Sequence, residues 1–163
     1  MALQRWSIDP ARSRIDLHVR QLGISNVLRR FERCDGVIEL DPDQPAAARV
    51  AVIIDASSAF ESREIERRTL DDYEVAGDLT IGGVTRRVVL AVTRSRVSVD
   101  RAGNQRVGFA IAGAIRRKDF GLGGAMAGDK VTITAELEAV RLPETRQVTA
   151  RATADSPASS RSY

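Results

Sequence analysis

With 163 residues, 43% of them hydrophobic, the chain has room for one domain with an adequate core and excludes two of ordinary size. Aromatic residues make up only 4%, so the core must rest on Val, Ile, Leu and Ala, and the stacking platform of a single-strand nucleic-acid binder is missing. The net charge of +3 comes largely from arginine, for Lys118 and Lys130 are the only lysines, and a dispersed excess of this kind concerns solubility before nucleic-acid binding.

Cys34 is the only cysteine, which rules out an internal disulfide and suggests a small, partly buried residue. Residues 1–10 lack the basic flank and apolar core of a secretory signal, and no later run reaches the length of a membrane span. A soluble, cytoplasmic protein is the expectation.

In chain order, Trp6 to Pro10 forms an entry segment that docks one large aromatic. Residues 13–21 alternate, with Ile15, Leu17 and Val19 on one side and Asp16, His18 and Arg20 on the other, so the only histidine falls on the polar face. Residues 26–32 fit either a short helix on apolar spacing or a bent strand, and the bent strand is favoured. Asp35-Gly36 reads as a turn or bulge before a strand resumes at 37–40. The prolines of 41–45 force a loop, and 49–56 is a β-branched run that reads as a strand.

The polar stretch 57–72 predicts a short helix or a charged edge strand. Residues 73–92 then hold two alternating runs joined at Gly82-Gly83, the signature of a β-hairpin, with Gly77 marking a bulge or bend. A turn at 99–105 leads to a strand over 106–115, a flexible glycine-rich connection at 121–128, and the clearest strand of all at 131–140. Residues 1–142 are therefore expected as one domain, and 143–163, with no apolar period, as a disordered tail.

Strands at short spacing, with no helix long enough for a crossover, exclude a βαβ fold and leave an all-β antiparallel barrel or sandwich with short helical segments. Long hairpin strands with glycines inside them select the barrel.

The motifs Trp6-x-Ile8-Asp9-x-x-x-Ser13-x-Ile15, Leu22-Gly-Ile-Ser25, Gly77-Asp-Leu-Thr-Ile-x-Gly-Val-Thr-Arg86, Val107-Gly-Phe109 and Ile115-x-Arg-x-Asp-Phe-Gly121 follow one another in this order. Together, over residues 6–141, they resemble the YceI-like family of polyisoprenoid-binding, lipocalin-like barrels. The resemblance implies an antiparallel barrel around an apolar tunnel for a long isoprenoid or isoprenoid quinone, with no catalytic residue to transfer and no required cofactor. The chain departs from the family between Phe60 and Leu70, where a longer aromatic insert is replaced by charge. A shortened wall would leave an open edge for a second subunit, so a homodimer is expected.

The inward set is Ile15, Leu17, Val19, Val52, Ile54, Val75, Leu79, Val88, Leu90, Val107, Phe109, Ile111, Val131 and Ile133. These residues line a lipid tunnel or, equally, pack a solid core. No residue type supports catalysis or a dedicated metal site: His18 faces solvent, and Gly121-x-Gly-Gly precedes a strand where a dinucleotide loop needs a helix. The alternative is an interaction module with a packed core that meets an anionic partner through surface arginines such as Arg29, Arg30, Arg86, Arg87, Arg116 and Arg117. Nucleic acid is the less favoured such partner, because few aromatics accompany the arginines.

Overall fold

The computed structural model describes residues 3–21, 23–122 and 129–144. Among these run β1 (Gln4–Ile8), β2 (Arg14–Gln21), β3 (Ile24–Phe31), β4 (Asp35–Leu40), β5 (Arg49–Asp55), β6 (Ser58–Arg67), β7 (Asp72–Ile81), β8 (Val84–Arg94), β9 (Ser98–Val99), β10 (Gln105–Arg116) and β11 (Lys130–Arg141). Short 3-10 turns lie at Pro10–Arg12, Pro45–Ala47 and Arg117–Phe120. The expected tail falls outside the described residues apart from 143 and 144, and so does 123–128 of the glycine-rich connection.

Strands β1, β4, β5, β6, β7, β8, β10 and β11 follow one another round a ring, with β11 pairing to β10 on one edge and to β1 on the other. The result is a closed, antiparallel, eight-stranded barrel. Along β11 the residues Val131, Ile133, Ala135, Leu137 and Ala139 are buried and their neighbours wetter, as a period of two requires. At the β7–β8 turn Gly82 and Gly83 take φ values of 57° and 81°, the left-handed geometry that a tight hairpin needs.

One edge of β11 serves two strands in succession. Ile8 of β1 pairs with Ala139, and Ile15 of β2 pairs with Ala135. Between them Pro10 has no N–H to extend a ladder, and the 3-10 turn it begins is capped by Asp9 Oδ1, which accepts from Ala11 N at 3.0 Å. Beyond this break β1 continues to β4, whereas β2 turns back into β3, so the β2–β3 hairpin extends the sheet outside the ring. Its residues Ile15, Leu17, Val19 and Phe31 join the main core.

Residues 26–31 are strand, within β3, whose register to β2 shifts by a bulge at Leu17/His18, and Glu32 lies just beyond its end. The polar stretch 57–72 is neither helix nor edge. It holds β6, an interior strand paired with β5 and β7. On the outer face Arg63 Nε donates to Asp78 Oδ2 at 2.7 Å and Arg68 bridges Glu66 and Glu74, whereas Arg67 borders the barrel's inner cavity. A bulge between Ser62 and Glu64 hides the pattern, because it lets Phe60 and Ile65, five residues apart, both turn inward. Asp35-Gly36 is likewise no turn: both residues lie in β4, opposite Ile53 and Val52. The ring is closed all the same, and beyond it β3 ends the sheet with a free edge that leaves Ile24, Val27 and Leu28 exposed.

An ion cluster pins the corner where the β1–β2 break meets the β9–β10 hairpin. Arg106 Nε donates to Asp100 Oδ2 at 2.7 Å, and its Nη1 donates to Glu138 Oε1 at 2.8 Å and Asp9 Oδ2 at 3.1 Å. The Arg106 hydrogen bond, with help from the Asn104 and Ala102 amides, holds the Asp100 carboxyl down to about 2. In the unfolded chain an aspartate titrates near 4, so as the pH falls the unfolded state takes up the proton first. The contribution is complete above about pH 4 and lost as the pH falls towards 2. Arg106→Gln should flatten this part of the stability curve, read from urea unfolding at pH 2 to 5; an unchanged slope would remove Arg106 as the cause.

Candidate functional site

All fourteen inward residues of the sequence reading lie in, or packed against, the hydrophobic core. They divide into two groups. Ile15, Leu17, Val19, Leu79, Val88, Val131 and Ile133 belong to the main core with Phe31, Ile81 and Phe120, with Ile54 partly buried against it. Val52, Val75, Leu90, Val107, Phe109 and Ile111 line a cavity of about 360 Å³. The structure thus packs one part of that list and sets the other round a cavity.

The cavity is also lined by Trp6, Ile38, Val50, Phe60, Ile65, Tyr73, Val92 and Leu137 from the wall, and by Pro42, Pro45 and Val97 from the loops at its mouth. Tyr73, Val92 and Leu137 share the inward parity of their strands and were legible from alternation alone. Phe60 and Ile65 were not, because of the β6 bulge. The loop residues carried no periodic signal. Phe60 belongs to both the lining and the core, and its ring lies over Gly77, where a Cβ would come within 2.6 Å of Phe60 Cζ.

Few polar groups face this space. Among the lining residues the charged ones are Arg67 and Arg94, both near the mouth. Arg67 donates to the carbonyls of Thr69 and Leu70, while Arg94 Nη2 reaches Asp71 Oδ1 at 3.4 Å. His18 lies elsewhere, on the outer face of β2, with Nε2 2.9 Å from Thr134 Oγ1. Cys34 is buried in the core, and burial, aided by the charge of Asp35, pushes its thiol up to about 11, away from nucleophilic thiolate chemistry.

A second concavity, of about 760 Å³, opens where β8 and β10 part company. Their pairing runs only from Phe109/Arg94 to Ala112/Ala91, and beyond it Arg86, Arg87, Arg116 and Lys130 border a wedge together with Asp119 and Asp129. It is larger but wide open and charge-rimmed, so it cannot enclose an apolar molecule as the barrel cavity does.

A family model described as the YceI-like domain matches residues 6–64 and 58–139. The chain belongs to the YceI-like family. The two matched stretches of this YceI-like chain overlap within β6. Curated relatives include a UPF0312 protein of Vibrio cholerae, 29% identical over 80% of this chain and 83% of its own length. Another, from Yersinia pestis, is 30% identical over 66% of this chain and 69% of its own. Among solved structures, Burkholderia cenocepacia BcnA superposes with a TM-score of 0.67 at 19% identity, covering 80% of this chain and 98% of that one. The Campylobacter jejuni YceI protein gives 0.58 at 23%, covering 77% and 91%. At those identities the likeness bears on the fold, and the YceI-like barrel is what they share. Among the described residues no helix is long and apolar enough to cross a membrane.

Proposed function

We propose that this YceI-like barrel is a non-catalytic binding protein that carries or sequesters an apolar isoprenoid-type chain, quinone-linked or not, in its cavity. The observation that carries this reading is the cavity of about 360 Å³, walled by aliphatic and aromatic side chains inside a closed sheet. That volume lies at the small end of the roughly 300–1,000 Å³ typical of ligand pockets. At about 30 Å³ per water-sized group it holds about a dozen non-hydrogen atoms, so a longer chain would leave its remainder outside the mouth.

Burying about ten methylenes at roughly 0.8 kcal/mol each supplies on the order of 8 kcal/mol before ordering costs, which corresponds to about micromolar binding. No cofactor is needed for such a site. Native mass spectrometry with organic extraction, applied to protein purified from its own host, should show a copurifying prenyl or quinone compound. A protein that purifies empty and takes up no such compound when offered it would overturn the reading.

The rival reading, an arginine stripe for an anionic partner, is weakened at two of its members. Arg29 is held by Asp55 at 3.0 Å and Arg30 by Asp16 at 2.8 Å. A homodimer remains part of the proposal, supported by the free edge of β3 and its exposed Ile24, Val27 and Leu28. Light scattering should give twice the chain mass, reduced to one by Val27→Lys; a parent that is monomeric at all concentrations would end that idea.

A further inference from the structure

We propose that the wedge between β8 and β10 is a peptide-docking site, which takes up an extended acidic segment of another protein as an added strand. The wedge and the barrel cavity share no lining residue, so the inference is independent of what the cavity holds.

The backbone supplies the first half of the argument. Arg94 N donates to the Asp71 carbonyl at 2.8 Å, which marks the even-numbered residues of β8 as those whose main-chain groups turn to β7. The odd-numbered ones turn to β10, where Ala91 and Thr93 meet Ala112 and Ala110. Arg87 and Val89 come next in that series, and among the described residues no strand pairs with them on this side, because the ladder stops at Ala112/Ala91. Beyond that point β8 stays paired to β7 as far as Val84, and β10 to β11 as far as Arg116. Each strand is thus held on its far side and open towards the wedge. An open sheet edge is a template for main-chain pairing with a further strand.

Side chains select the occupant. Val88 and Ile115 turn inward and, with Phe120, give the wedge a buried apolar floor. Their neighbours Arg87 and Arg116 therefore face outward, and Lys130 stands beside Arg116 across the β10–β11 ladder. Among the described residues none of these three cations is held in an ion pair. Asp129 is committed elsewhere, its Oδ1 accepting from the Lys118 amide at 3.2 Å. A strand laid in the wedge alternates between the two surfaces: its outward residues stand beside cations and its inward ones meet the floor. The matching segment alternates acidic and apolar residues.

Other sources of a strand carry the wrong charge. The free edge of β3 in a second copy holds Arg29 and Arg30 and no acid, and residues 145–163 hold three arginines against one aspartate. Like charges set side by side across a sheet oppose pairing. An anionic membrane would use the cations but not the open edge.

Fluorescence anisotropy of the full chain with rhodamine-labelled Glu-Val-Glu-Val-Glu amide at neutral pH tests the proposal. This peptide should bind saturably, and Lys-Val-Lys-Val-Lys amide should not. Two further forms of the acidic peptide, N-methylated at the glutamates or at the valines, keep every charge but lose alternate main-chain donors. At least one of them should bind about tenfold more weakly, as the loss of a pair of hydrogen bonds requires. The double variant Arg87→Glu, Arg116→Glu, whose side chains lie outside the core, should lose the acidic peptide. Equal binding of the acidic peptide and both N-methylated forms would overturn strand addition, and binding unaltered in the double variant would overturn the site. The proposal also fails if no peptide binds while vesicles of anionic phospholipid hold the parent and not the double variant.

Discussion

Gly36→Val should leave the barrel unfolded or destabilised by about 3 kcal/mol or more, at the upper end of what overpacking costs. A Cβ at Gly36 would overlap the Ala51 carbonyl oxygen and lie 3.0 Å from Val52 Cα and 3.1 Å from Ile8 Cδ1. Two of these three neighbours are backbone atoms of β5, the strand paired to β4, so no side-chain rotation relieves the contact. Relief requires β4 and β5 to separate, and their pairing is one link of the closed ring. Urea unfolding monitored through Trp6 emission measures the effect. A variant within about 0.5 kcal/mol of the parent would mean that the two strands are not held as closely as the geometry indicates.

Phe60→Ala should cost about 3–5 kcal/mol and change what the cavity accepts. Phe60 is buried, belongs to the main core, and lines the cavity as well. Removing its ring subtracts contacts from both and merges the space over Gly77 with the cavity. The variant should therefore favour a tail longer by a few carbons than the parent does, read by calorimetry over a series of apolar chains. Phe60→Leu should lose less stability and keep the parent's preference. If Phe60→Ala folds and prefers the same chain length, Phe60 does not limit the depth of the site.

The hairpin at Gly82-Gly83, the strands at 13–21 and 131–140, and the inward placement of the fourteen residues, eleven of them buried and Ile54, Phe109 and Ile111 partly so, were legible because period-two patterning and turn chemistry are local properties. The strand β6 was not. One extra residue at the Ser62/Glu64 bulge moves Ile65 onto the face of Phe60, and a strict alternation then reads as noise. Gly36 misled in the opposite direction: a glycine after an aspartate suggests a turn, whereas here it serves a close approach of two paired strands.

What could be read without coordinates was the all-β character, the antiparallel hairpins and which side of each strand turns inward, since each depends on residues a few positions apart. What could not be read was where the inward residues meet one another and where they meet empty space. That follows from contacts distant in the chain: β11 closing on β10 and β1, Pro10 releasing the β2–β3 hairpin, and the aromatic and aliphatic side chains that pack the core but leave a cavity. The same long-range pairing sets Trp6 and Arg94 around one cavity, although 88 positions separate them in the chain.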